Sequence, residues 1–303
     1  MREFKSKILL FGEYALMKGA RALSIPFVGF SGKLSLEKGP LVVEESNRLL
    51  RKFLHYQQEN QINQQLHFPF NLDVFQQEIY QGIWFDSTIP LQYGVGSSGA
   101  LVAALFDRYS SLSTAQGDGS NLPVYQLKAD FSILESYFHG TSSGFDPLVS
   151  FLDRPVLLGN SGKVEIVPPV GRPQIKMFLA DTKVRGATAP LVGYFIRKAA
   201  LPGFQKKLVN RLIPANDRCI EYFLKDDPDL FFPELQKLVD FQLCYMKRMF
   251  PSGFQKIIKE SSTDGLFIKL LGSGGGGFLL GFASNEKSIR SFSEKHQIEV
   301  TLI

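Results

Sequence analysis

The sequence predicts an α+β protein of two domains, and three observations carry that prediction. Short apolar runs closed by glycine, such as Lys7 to Phe11 before Gly12, alternate with stretches at helical spacing, such as Ala100 to Tyr109. A length of 303 residues suits one large domain or two modest ones. Pro168-Pro169 followed by Gly171-Arg172-Pro173 supplies a boundary, dividing an N-terminal domain, 1–172, from a C-terminal domain, 173–303.

Taken in order, Lys7 to Phe11 reads as a strand, and Leu23–Phe30 and Leu34–Leu36 as β-like pieces separated by glycines. Asn47 to Gln65 is rich in Gln and Asn but places Leu49, Leu50, Phe53 and Leu54 at helical spacing, which predicts a helix and then a polar loop. Asp73 to Gly82 is a short element before the strand-like Trp84–Phe85. Leu101, Leu105 and Tyr109, four apart, predict a buried helix from Ala100, and Gly117 to Asn121 a loop. A second helix spans Tyr125 to Tyr137 and ends near His139-Gly140. Val156–Leu158 and Val164–Val167 are short strands about a turn at Asn160–Gly162. The second half opens on the strand Ile175–Ala180. Helical stretches follow at Pro190–Lys198, Phe204–Leu224 and Phe231–Met249, with a turn at Pro251-Ser252-Gly253. It closes with Phe267–Leu271, the glycine cluster Gly272–Gly277, the strand Phe278–Phe282 and a short helix.

Composition narrows the function classes. Apolar residues at 44% and charged residues at 21% are ordinary globular usage, so the chain needs no staple to fold. Cys219 and Cys244 are too few for a disulfide framework, which fits a reducing compartment. Ile8 to Phe11 is broken by Gly12 and Glu13 and does not read as a signal peptide, and no run approaches the ~20 apolar residues of a membrane helix. The expectation is a cytoplasmic protein without a membrane partner. A net charge of +5 suits anionic ligands; its basic residues come in scattered pairs, the pattern of a solvated surface rather than of nucleic-acid binding. The 27 phenylalanines read as core, and the four histidines show no metal-ligand spacing. His139 reads as packing at a helix end.

The sharpest local signal is Gly94-Val95-Gly96-Ser97-Ser98-Gly99, followed by Ala100 and an apolar helix. Such a loop presents backbone N–H groups at the positive end of a helix dipole, where phosphates bind. Ser97 and Ser98 add hydroxyls for phosphate or metal, or Ser97 serves as an N-cap. The string also fits a Rossmann G-x-G-x-x-G, but the acid expected ~20 residues on at a strand end would be Asp118, inside a Gly/Ser loop. Gly272 to Gly277 fits the same string. No P-loop and no protein-kinase signature is present.

The combination is more specific. Lys7-Ile8-Leu9-Leu10-Phe11-Gly12-Glu13-Tyr14, with Gly19 and Ala22-Leu23, resembles the first motif of the GHMP kinases, the group of galactokinase, homoserine kinase and mevalonate kinase. Ile89-Pro90 to Ala100 resembles their phosphate-binding motif, usually P-x-x-x-G-L-G-S-S-A. Leu271 to Gly277 resembles their third, glycine-rich motif. The three stand in the family's order and span nearly the whole chain. Glu135 to Asp146 is similar to the mevalonate kinase branch's E…H-G-x-P-S-G-x-D, and Asp181 to Val192 to its T-K-V-x-x-x-T-x-x-L-V. Phosphomevalonate kinase and diphosphomevalonate decarboxylase share parts of both. The sequence departs from the pattern at Tyr14 (usually His), Gly99 (Ala), Ser142 (Pro) and Pro147 (Asn).

The resemblance implies a two-domain GHMP kinase fold, with a ribosomal-S5-like N-terminal domain, a ferredoxin-like C-terminal domain and ATP between them. It implies transfer of the γ-phosphoryl of ATP to a hydroxyl, that of mevalonate in isoprenoid precursor synthesis, with Mg²⁺. The alternatives are another GHMP enzyme, such as a sugar kinase, or a regulator that kept the fold without the chemistry. By the same resemblance Asp146 and Lys7 are catalytic, Gly94, Val95, Gly96, Ser97, Ser98, Gly99 and Ala100 bind ATP, and Ser98 and Glu135 hold Mg²⁺. Asp146 is the expected base or orienting group for the hydroxyl, or else a helix cap before Pro147. Glu13, Tyr14, Lys183, Arg185, Thr188, Gly274 and Gly275 are candidates for acceptor binding, with Arg185 or Lys183 as the cation for a carboxylate. A monomer or homodimer is expected.

Overall fold

The structure, a computed structural model, describes residues 1–37, 42–112, 122–160, 162–169, 174–186 and 188–303, without the side chains of 42, 188 and 189. The loop expected at 117–121 and the boundary expected at Arg172 lie outside the described residues. One sheet is built from β1 (Glu3–Phe11), β2 (Ala22–Ser35), β3 (Trp84–Ser87), β4 (Val156–Leu158) and β5 (Val164–Ile166). Its order is β1-β2-β4-β5, with β3 on β2. The two β-like pieces expected at 23–36 form one strand. Gly29 and Gly32, which suggested a break, are roofed by the rings of Phe27 and Phe85, which fill the space a side chain would take.

Chain contacts divide the protein into two compact units. The first comprises Met1–Lys7, Pro26–Pro90 and Gly96–Arg154. It holds α1 (Val42–Glu59), α2 (Leu72–Tyr80), α3 (Ser97–Tyr109), α4 (Val124–His139) and α5 (Phe145–Leu152). Leu50, Phe53 and Leu54 turn the apolar face of α1 inward. Asn71 caps α2 by accepting from the N–H of Val74, and Gly140 ends α4. Every residue of α3 from Gly99 to Phe106 is buried, and Phe106 meets Phe131 of α4 and Phe151 of α5 edge-on, at 4.8 and 5.7 Å. Sequence reading reaches α5 only through the alternative in which Asp146 caps a helix before Pro147. Its eight residues are nearly all buried, so no polar face marks a helical period.

The second unit comprises Ile8–Ile25, Leu91–Val95 and Pro155–Ile303. Its sheet is formed by β6 (Lys176–Asp181), β7 (Leu266–Leu270), β8 (Phe278–Ala283) and β9 (Val300–Leu302), in the order β7-β8-β6-β9 with every pair antiparallel. Between β6 and β7 run α6 (Thr188–Ala199), α7 (Pro202–Lys207), α8 (Ile213–Leu224), α9 (Pro228–Tyr245) and α10 (Phe254–Thr263), and α11 (Glu286–His296) joins β8 to β9. This is the β-α-β-β-α-β succession of a ferredoxin-like unit with added helices. The helix expected over Phe204–Leu224 is interrupted by a π turn at Leu208–Leu212. Pro214 lacks an N–H, and its ring displaces the carbonyl four residues back, so the ladder widens just before it. Among the described residues no helix is long and apolar enough to cross a membrane.

Candidate active site

Four of the expected residues come together in the first unit. β1 ends its run in that unit with Lys7, which is buried, and the Lys7 Nζ lies 2.9 Å from Asp146 Oδ2. Asp146 stands in the first turn of α5 and is partly exposed, so the pair is open to a reactant on the acid's side. Gly144, not Asp146, is the N-cap of α5, which removes the reading of Asp146 as a cap.

The N-terminus of α3 faces a second acid. Helix α3 starts at Ser97, with Gly96 as N-cap in the left-handed region at φ 80° and no side chain capping it. Ser97 is therefore not the cap, and the first N–H groups of the helix keep their capacity for an anion. The hydroxyl of Ser98 donates to Glu135 Oε1 at 3.1 Å and lies 3.0 Å from His139 Nε2. Glu135 and His139 are four apart on α4 and share a face. Ser142 donates to the other oxygen of Glu135. Burial pushes the Glu135 carboxyl up to about 7, with the negative charge of Asp146 adding to the rise and the bonds from Ser142 and Ser98 and the charge of Lys7 opposing it.

These donors fit Mg²⁺. Among the described residues no group of three or more His, Cys, Asp or Glu could hold a metal ion. Mg²⁺ asks less of a protein: one or two oxygens, with waters and phosphate oxygens completing the shell. Ser98 and Glu135 supply two hard oxygens, and a carboxylate disfavoured by burial and by a neighbouring acid is one that a cation would stabilise.

The remaining candidates fall in the second unit. Glu13 is turned inward and pairs with Lys269 of β7, both side chains being buried. Tyr14 sits at φ 59° and donates its hydroxyl to the carbonyl of Ser273 at 2.6 Å, and burial, then the charge of Glu13, raises its pKa. The segment before β8 and the turn after β6 interlock. Thr182 donates to the carbonyl of Gly277 at 2.6 Å, and the N–H of Gly277 to the carbonyl of Val184 at 2.6 Å. Gly274 lies against the Met249 carbonyl, to which Gly275 donates at 2.6 Å. Gly94 lies beside Leu271. Lys183 is exposed and engaged by Glu299 and by Asp181 at 3.0 Å; those hydrogen bonds, Glu299 first, raise its pKa. Arg185 is exposed. The side chain of Thr188 lies outside the described residues.

Sequence reading missed His139 and Ser142. The spacing of His139 from Glu135 was the available signal for the first. The second stands at a departure from the family pattern, where its hydroxyl does what a proline could not.

No protein-family profile matches the chain. It is 26% identical to a mevalonate kinase of Archaeoglobus fulgidus over 94% of this chain and 93% of that protein. With a mevalonate kinase of Dictyostelium discoideum it shares 23% identity over 68% of this chain, a match spanning 59% of that relative's length. Among solved structures, Streptococcus pneumoniae phosphomevalonate kinase in complex with phosphomevalonate and AMPPNP aligns with a TM-score of 0.65 at 14% identity, covering 100% of this chain and 99% of that one. L. major mevalonate kinase in complex with R-mevalonate aligns with a TM-score of 0.65 at 16% identity, over 99% and 94%.

Proposed function

We propose that this chain, which has the GHMP kinase fold and is similar in sequence to mevalonate kinases, transfers the γ-phosphoryl of ATP to the hydroxyl of mevalonate. The observation that carries the reading is the Lys7–Asp146 pair, next to a helix N-terminus that bears Ser98 against Glu135.

Phosphoryl transfer demands positioning and charge stabilisation more than covalent chemistry. Asp146 Oδ accepts the hydrogen bond of the attacking hydroxyl and either takes its proton or aligns its lone pair on phosphorus. Lys7, paired with Asp146, offers a positive charge to the oxygens of the transferring group. The N–H groups opening α3 bind phosphate oxygens. Ser98 Oγ and Glu135 would hold Mg²⁺, which when bound neutralises the charge on the phosphate oxygens.

A coupled ADP-release screen with mevalonate, phosphomevalonate, homoserine and galactose tests the assignment. Mg²⁺-dependent release with mevalonate is expected. Release with only one of the other acceptors reassigns the substrate, and none with any acceptor favours a regulator that binds nucleotide without turning it over.

A further inference from the structure

We propose that Gly99 is a positioning residue, whose missing side chain lets the backbone of Asp146 approach α3 closely enough to meet Lys7; this rests on the catalytic reading of that pair. Gly99 is the third residue of α3, is buried, and has no left-handed backbone that would call for glycine. A glycine inside a helix costs roughly 0.5–1 kcal/mol relative to alanine, so its presence needs another cause. The cause lies in α5. A Cβ at position 99 would fall 2.9 Å from the carbonyl carbon of Asp146, 3.0 Å from the nitrogen of Pro147 and 3.1 Å from the Asp146 Cβ. Two of these are backbone atoms, which cannot swing aside as the tip of a side chain can.

The other member of the pair is accommodated in the same way. A Cβ on Gly96 would fall 2.7 Å from Cγ and 2.9 Å from Cε of Lys7. Two glycines three apart, the N-cap of α3 and its third residue, thus give clearance to the two partners of one ion pair, held at 2.9 Å. Sequence reading gives these glycines to the approach of phosphate; the packing gives them a second task. Gly99 and Pro147, both departures from the family pattern, touch each other here, so the α3–α5 contact is this chain's own fit.

Gly99→Ala is the cleaner test, because Gly96 sits at φ 80° and any substitution there strains the backbone as well. An added methyl that displaces Asp146 by a fraction of an ångström should lower kcat by roughly 10- to 100-fold. In an Asp146→Asn background the same substitution should cost less than about twofold, since the group it displaces has already lost its charge. Equal losses in both backgrounds, or an unchanged kcat, would overturn the proposal. If the wild-type protein turns over no acceptor, the kinase reading fails on its own, and a crystal structure of Gly99→Ala still decides the packing. An Asp146–Lys7 distance unchanged from 2.9 Å would contradict it, and a lengthened one would support it. Should Gly99→Ala not fold, the pair Gly99→Ala/Asp146→Gly, which removes one struck atom and loosens the others, is expected to fold; its failure would equally count against the contact.

Discussion

At the scale of single residues the account stands on Asp146 and Ser98. Asp146→Asn keeps the shape of the side chain and removes its charge and basicity. A base contributes typically ~10²–10⁴-fold, so kcat should fall by at least about 10² with ATP affinity little changed. An equal fall in kcat and kcat/KM would place the loss in the transition state. A folded Asp146→Asn protein with near wild-type kcat contradicts the role. Ser98→Ala removes one proposed Mg²⁺ oxygen and one partner of Glu135. The Mg²⁺ concentration for half-maximal rate should rise about 10- to 100-fold, as when groups around a bound metal are lost. An unchanged Mg²⁺ requirement would leave Ser98 as an ordinary first-turn residue. Both positions were singled out by resemblance to the family's motifs, a comparison that needs no tertiary information. The inward turn of Glu13 was not legible, since the partner that decides it, Lys269, lies at the far end of the chain.

At the scale of elements, what could be read in advance followed the strength of the local pattern. Helix α3 carries its apolar residues four apart and was legible to within a turn. Sequence reading passes over α10 although Phe254, Ile257 and Ile258 stand at helical spacing. α5 is short and mostly buried, so its pattern does not separate a helix from a loop. The broken rod from α7 to α8 shows the same limit, because a proline inside a helical pattern can end, kink or widen it. The Glu13–Lys269 pair joins the turn after β1 to β7, with side chains only 2% and 0% exposed. Lys269→Met takes the ammonium from beside that buried carboxylate and should destabilise the protein by roughly 3–5 kcal/mol in denaturant unfolding. Replacing both partners, Glu13→Gln with Lys269→Met, should cost much less than the single change. A loss below about 1 kcal/mol for Lys269→Met alone would show that the pair contributes little to stability.

At the scale of the whole molecule, the order of three glycine-bearing motifs along the chain pointed to the fold before any helix was placed, and the alignments over nearly the whole length agree with it. The acceptor is harder to read. Mevalonate and phosphomevalonate kinases share this fold at equal TM-scores, so architecture does not separate them. Within the second unit, the glycine-rich segment and the turn bearing Arg185 are held by backbone hydrogen bonds and by the Thr182 hydroxyl on the Gly277 carbonyl, contacts that many sequences could make. The most direct test is therefore to follow the transferred group itself. ATP labelled in its γ-phosphoryl is incubated with the protein, mevalonate and Mg²⁺, and the label is traced by chromatography. The account predicts label in a monophosphate ester of mevalonate, formed in step with ADP and abolished by Asp146→Asn. Label that stays in ATP, or appears only as inorganic phosphate, would contradict it.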